Sequence, residues 1–380
     1  MLKGIAIGAA AAVIIMILIN QAVYWLPGLT TAKKPDSIAA YKKIHEISTL
    51  IDKYYLGDVD EEKLTDYMCL GLAAGLEDKY STYYTKEEYA SVTKSQEGEY
   101  TGIGIGIAQR EEDGRLVITS VTANGPADRA GIEVDDILIS VNSTSTDGMA
   151  ASDVSNLIKK LGSKEFEISV YRPGTKETIQ GYVQSEVIED VSVTYEMLDG
   201  NIGYIKIANF IGVTAKQFDE ARKALEEQGA VSMIIDLRDN LGGLVTAACD
   251  TLSSFMPEGL IVYTEDAQGK REEHYSQGEN PLDLPLVLLV NESTASAAEI
   301  FSGAVKDYGI ATLVGTITYG KGIVQNTYKL SDGSALKITA AKYFTPNGNN
   351  IHEVGIEPDI VVENDGEDDA QLARAIEILS

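Results

Sequence analysis

The stretch Pro285–Asp307 constrains this chain more than any other. Leu286-Val287-Leu288-Leu289-Val290 is a continuous apolar run, too short to cross a bilayer and typical of a strand covered on both faces. Asn291-Glu292-Ser293-Thr294 breaks the run, and Ala295-Ser296-Ala297-Ala298-Glu299-Ile300-Phe301 begins a helical pattern. Ser296 therefore falls at the first turn of a helix, where backbone N–H groups are unpaired and the dipole favours developing negative charge. The flanking alanines leave room for a substrate backbone. An N-cap serine is the plainer use of the same residue. The turn lacks the G-x-S-x-G pattern of the α/β-hydrolase elbow, so the sequence gives that family no support.

Two further stretches give the serine chemical company. Thr318-Tyr319-Gly320-Lys321-Gly322-Ile323-Val324-Gln325 follows a strand-like Ala311–Gly315. A lysine between two glycines can turn its amine inward, and a desolvated lysine of lowered pKa can serve a serine as base. Gln325 would share a face with Lys321 on a regular strand and fix its amine. Upstream, Met233–Leu237 reads as a buried strand running into Arg238-Asp239-Asn240-Leu241-Gly242-Gly243-Leu244 and then a helix. Bare Gly-Gly amides suit an oxyanion hole, and they equally suit an ordinary tight turn.

Taken together, these stretches resemble the carboxyl-terminal processing (tail-specific) proteases, serine peptidases with a Ser/Lys dyad. Asp236–Gly243, Thr294–Ile300, Gly320–Gln325, Phe344-Thr345-Pro346-Asn347-Gly348 and Gly355-Ile356-Glu357-Pro358-Asp359 stand in the family's order and spacing. Leu241 departs from the proline that many members carry there. The resemblance implies Ser296 as nucleophile, Lys321 as general base and Gln325 as its orienting partner. It implies an oxyanion hole from the amides of Gly242 or Gly243 and of Ala297. Asp307 matches a position that the family keeps beside the site, in support of it. The implied fold is α/β, a crotonase-like core of ββα units with an inserted PDZ domain and an N-terminal helical segment. No metal and no organic cofactor is implied.

Tyr100-Thr101-Gly102-Ile103-Gly104-Ile105-Gly106-Ile107 alternates glycine with isoleucine and resembles the carboxylate-binding loop and second strand of a PDZ domain. Such a loop offers a nest of backbone N–H groups, with Gly102, Ile103, Gly104 and Ile105 binding a peptide terminus as an added strand. A phosphate-binding G-x-G-x-x-G loop is excluded because the run continues into a strand, not a helix. The PDZ module is expected over residues 97–184. Arg172 ends its last strand, either coupling peptide binding to assembly of the active site or serving as an ordinary strand-end arginine. Residues 36–96 read as helical, with helices Ser37–Tyr55 and Glu61–Leu76. Asp78–Thr85 resembles the short segment that precedes the PDZ domain in this family. Residues 185–364 form the protease core, and 365–380 an acidic, solvated cap leading into a helix.

A net charge of −27, from 31 basic and 58 acidic residues, argues against a nucleic-acid partner. Residues 4–32 carry no charge, and 1–32 reads as a signal anchor or signal peptide. The expected location is the cell membrane, single-pass, with the catalytic region extracytoplasmic, or secreted if the segment is cleaved. Cys69 and Cys249 sit in apolar helical contexts and read as core residues. His45, His274 and His352 occupy helical, Glu-rich and loop contexts, which favours lysine over histidine as base. The expected partners are protein or peptide C-termini, with homo-oligomers possible. The alternative function is a PDZ scaffold whose protease core has decayed.

Overall fold

The structure is a computed structural model that describes residues 37–110, 112–364 and 368–380. The apolar segment read as a membrane anchor lies outside the described residues. Among the described residues, no helix is long and apolar enough to cross a membrane. The chain divides into two units, one ending at Thr65 and one beginning at Asp66. The first holds α1 (Ser37–Tyr54), whose Tyr41, Ile44 and Ile47 are exposed. Helix α2 (Glu61–Ala74) runs across the division.

In the second unit β1 (Thr82–Tyr84) is followed by α3 (Lys86–Glu97), which starts at a capping box. The Glu88 amide donates to Thr85 Oγ1 at 3.2 Å and the Thr85 amide to Glu88 Oε2 at 2.9 Å, satisfying two helix-start donors reciprocally. The PDZ region comprises β2 (Glu99–Gly102), β3 (Ile105–Gln109), β4 (Leu116–Val121), α4 (Pro126–Arg129), β5 (Ile137–Val141), β6 (Thr144–Ser145), α5 (Ala151–Leu161), β7 (Glu165–Arg172) and β8 (Glu177–Gln184). Strand β9 (Glu186–Glu189) returns to pair with β2, while β3-β4-β5-β7-β8 form a sheet with β6 on β5. Leu116, Ile118, Val141, Val154, Phe166 and Ile168 fill its core.

The remaining chain runs β10 (Val193–Leu198), β11 (Ile202–Ile207), α6 (Thr214–Glu227), β12 (Ser232–Asp236), α7 (Val245–Ser253), β13 (Gly259–Asp266), β14 (Arg271–Ser276), β15 (Leu286–Val290), α8 (Ala297–Tyr308), β16 (Thr312–Gly315), β17 (Ile323–Lys329), β18 (Ala335–Phe344), β19 (Ile360–Val361) and α9 (Ala370–Leu379). Its six-stranded sheet has the order β10-β11-β12-β15-β16-β19. Strands β11 to β19 in that order pair parallel, and β10 is an antiparallel edge. Burial on both faces explains the unbroken apolar runs. Ile235 and Leu288 pack with Phe218, Leu252 and Phe301 on one side. Ile234, Val287 and Leu289 pack with Ala375 of α9 on the other. A second sheet, β1-β18-β13-β14 with β17 on β18, completes the unit.

The tail is more than a solvated cap. Asp369 accepts the Leu372 amide at 3.0 Å at the start of α9 and pairs with Arg238 at 2.6 Å, while Arg238 also grips the buried Asp236 at 2.7 Å. The last helix is thereby tied to the end of β12.

Candidate active site

The turns that follow β12, β15 and β16 meet at the carboxyl ends of these parallel strands, where open α/β sheets place their sites. They are fastened to one another through the backbone. Thr294 Oγ1 donates to Leu237 O at 2.8 Å, the Ala295 amide to Asn240 O at 3.0 Å, and the Tyr319 amide to Thr294 O at 3.0 Å. Buried Asn240 donates from Nδ2 to Ile207 O at 2.9 Å and accepts the Gly242 amide at 2.8 Å. Asn240 lies inside the Asp236–Gly243 motif, but nothing in its local sequence marks it as the tie between these turns.

Ser296 stands just before α8 with φ 56° and ψ −116°. For a non-glycine residue this conformation costs on the order of 1–3 kcal/mol and persists only where neighbours enforce it. Gly242 is one such neighbour. A Cβ there would lie 2.6 Å from Ala295 O and 2.9 Å from Ser296 Cβ, so only glycine fits against the turn. The chain lacks the G-x-S-x-G pattern but adopts a strained strand–turn–helix of the same kind, with the space supplied by a glycine from another loop.

One residue that the sequence analysis left without a function organises the centre. Glu299 is fully buried in the first turn of α8. Its Oε2 accepts the Ser296 amide at 2.9 Å and the Lys321 amide at 2.8 Å. Its Oε1 accepts the Gly320 amide at 2.7 Å and Thr318 Oγ1 at 2.6 Å. A single carboxylate oxygen thus joins the backbones of the two residues read as nucleophile and base. The pattern Ser-x-x-Glu ahead of an apolar helix is a capping signal that could have flagged it.

Lys321 is half-buried, and burial, followed by the nearby Lys337 ammonium, pushes its pKa below the ordinary lysine value. The Lys321 amine lies 4.6 Å from the centre of the Tyr80 ring. Among the described residues neither this amine nor Ser296 Oγ makes a hydrogen bond. Gln325 departs from its expected geometry. Lys321 and Gly322 lie ahead of β17, so the alternation of the strand does not extend to Lys321; the extra residue of the β17–β18 ladder, Ala340, is on β18. Gln325 Nε2 is buried without a partner.

Among the expected oxyanion donors, the Gly242 N–H is committed to Asn240. The Gly243 and Ala297 amides have no acceptor among the described residues. The isolated bridge to Phe210 uses the Gly242 carbonyl and the Leu244 amide. It leaves the Gly243 N–H unused.

Residues 201–362 match Peptidase family S41, and residues 91–170 match the PDZ domain. The chain is 35% identical over 297 residues to the carboxyl-terminal-processing protease of Synechocystis sp., covering 77% of this chain and 69% of that protein. This chain belongs to the S41 carboxyl-terminal processing proteases. It is also 34% identical over 337 residues to the carboxy-terminal processing protease CtpA of Bacillus subtilis, covering 88% of this chain and 71% of that one. A solved S41 protease candidate from Bacteroides fragilis shares the fold at a TM-score of 0.53 and 15% identity, covering 86% of this chain and 92% of that one. The chain is accordingly a serine-type peptidase of α/β fold carrying a PDZ domain.

Other expected residues of this protease fall further out. Asp307 lies eleven residues beyond Ser296, about 16 Å along the helix. Its Oδ2 accepts the Asn347 amide at 2.8 Å. It secures the Thr345–Gly348 turn and makes no hydrogen bond to Ser296 or Lys321. His352 packs its backbone against Gly322, and its buried Nδ1 has no partner. In the PDZ loop, Gly102 closes β2 and Gly104 adopts φ 78°. The Ile103 and Gly104 amides have no acceptor among the described residues. Ile103 itself is 2% exposed and belongs to the PDZ core, so Ile105 and Ile107, both half-buried, are the isoleucines left at the surface.

Arg172 spends its donors inside the PDZ domain. Nε and Nη2 clasp the fully buried Asp136 at 2.8 Å, Nη1 reaches Glu133 at 2.8 Å, and Nη2 also reaches Gly131 O at 2.7 Å. None of these bonds goes to the protease core. Removing one partner of a buried pair strands the other charge, at a cost of about 3–5 kcal/mol. Arg172→Ala should therefore lower the PDZ unfolding temperature and weaken peptide binding and peptide-dependent cleavage together. Thermal melts beside binding isotherms check this. Unchanged stability with a selective loss of cleavage would restore the coupling role.

Proposed function

We propose that this protease cleaves polypeptides near their C-termini through Ser296 and Lys321. Neutral Lys321 accepts the proton of Ser296 Oγ as that oxygen attacks the scissile carbonyl. The Gly243 and Ala297 N–H groups receive the oxyanion, and the lysine returns its proton to the leaving amine before water releases the acyl-enzyme. Gln325 orients the amine once substrate is bound. The observation that carries this reading is the shared Glu299 oxygen, which holds the amides of Ser296 and Lys321 at 2.9 and 2.8 Å. Burial of the lysine adds support, because it favours the neutral amine needed for a base.

The PDZ domain selects the substrate. Unpaired amides at Ile103 and Gly104 suit a terminal carboxylate, and Ile105 and Ile107 suit an apolar last residue. The apolar segment at residues 1–32 tethers the enzyme to the membrane, with its catalytic region on the extracytoplasmic side. On this reading a peptide with an apolar free C-terminus is cleaved roughly tenfold to a hundredfold faster than its C-terminal amide, the value of one charge-assisted hydrogen bond or so. Paired kinetics on acid and amide test it. Equal rates would remove the carboxylate from recognition and leave the PDZ domain a steric or partner-binding role.

A further inference from the structure

The turn Asp78–Ser81, ahead of the PDZ domain, lies against the lysine and is built to stay there. Asp78 accepts Ser81 Oγ at 2.5 Å, Thr339 Oγ1 at 2.6 Å and the Tyr80 amide at 3.1 Å. Thr339 donates its own amide to Ser81 Oγ at 3.1 Å. Thr339 is also the residue that faces Gln325 across the β17–β18 ladder. On the other flank, Lys79 Nζ donates to Tyr319 Oη at 3.3 Å, two residues before Lys321. Between these anchors lies the Tyr80 ring, with Lys321 Nζ at 4.6 Å and Lys79 Nζ at 4.8 Å from its centre.

We propose that Tyr80 is a positioning residue for the base: its ring face holds the Lys321 ammonium in the resting enzyme and sets the pH at which the amine becomes available to Ser296. The proposal rests on Lys321 acting as base. An aromatic face stabilises a cation, not a neutral amine, so the ring opposes the effect of burial. Other groups also face this amine. Lys337 favours the neutral form, whereas Tyr319, Glu299 and Asp78 favour the charged one. Tyr80 differs from these in lying directly against the amine, which makes no hydrogen bond to any of them. Release of the lysine then requires no bond to be exchanged, and substrate carbonyl and Ser296 Oγ can compete for the amine directly.

The test replaces Tyr80 in the full chain with Phe and then with increasingly fluorinated phenylalanines, which drain the ring face while nearly preserving its shape. Two readouts are recorded: kcat/KM against pH, and the Lys321 titration by NMR of lysine labelled at the ε-carbon. Phe should leave both close to wild type. Across the fluorinated series the acid limb and the titration midpoint should move together to lower pH, by about 0.5–1 unit. Tyr80→Leu should shift them in the same direction. A series in which neither moves, or in which activity falls at an unchanged limb, would reduce Tyr80 to packing and overturn the proposal. If Lys321→Ala retained turnover, the base assignment would fall separately, and the NMR titration would still decide whether the ring holds the ammonium.

Discussion

Lys321→Ala and Lys321→Arg should each lose turnover by a factor of roughly 10²–10⁴ or more, the usual range for removing a positioned general base. Ser296→Ala should be equally inactive. The arginine result is the more informative, because guanidinium keeps the charge and length but does not give up its proton near neutral pH. In the wild type, burial lowers the Lys321 pKa from its ordinary value. On the proposed mechanism the reactive form is the neutral amine, so activity should climb as pH rises through that lowered pKa. Rate measurements across pH check the sign. Activity that fell over that range, or a limb at the ordinary histidine value near pH ~6.5, would speak for a different base.

Glu299→Ala should be the most damaging substitution outside the reacting residues. It would leave the donors of Ser296, Thr318, Gly320 and Lys321 without their acceptor in a buried site. Unsatisfied buried donors cost about 1–3 kcal/mol each before relaxation. Allowing for relaxation, a net loss of about 3–5 kcal/mol is expected, or roughly 6–20 °C in Tm. Glu299→Gln tests geometry more finely, because one amide end still accepts while the other turns N–H donors toward N–H donors. It should fold better than the alanine variant yet still lose activity. Asp307→Ala, on the same helix, should leave turnover largely intact, since it removes only the acceptor for the Asn347 amide. Melting curves and kcat for the three variants decide the matter. Wild-type behaviour of both Glu299 variants would show that the shared carboxylate does not hold the site together.

Much of this arrangement was legible in the sequence because local patterns and buried strands coincide. The run Leu286–Val290 is apolar throughout because its strand is covered by helices on one face and by α9 on the other. Gly242 and Gly243 stood out as glycines, and the structure gives each a reason: one makes room for Ser296, the other passes close to Phe210. What escaped the sequence depends on contacts between distant segments. Glu299 looked like one more polar residue on a helix, because its partners at 318–321 come from the loop between β16 and β17, about twenty residues downstream. Tyr80 precedes Lys321 by more than two hundred residues, so no spacing rule relates them. The relation of Gln325 to Lys321 could not be read from alternation alone, because Lys321 lies ahead of β17, outside the strand. The partners of Arg172 were not legible either, because the end of a strand does not reveal that the buried Asp136 lies beside it.

The most direct test of the central claim is to label the enzyme with a fluorophosphonate and locate the adduct by peptide mass spectrometry. The wild type should carry one adduct, on Ser296. Lys321→Ala, folded by its melting curve, should carry almost none, because without its base the serine oxygen is no stronger a nucleophile than any other hydroxyl. His352→Ala should label as the wild type does. Labelling of Ser296 that persists in Lys321→Ala and disappears in His352→Ala would contradict the Ser296–Lys321 dyad.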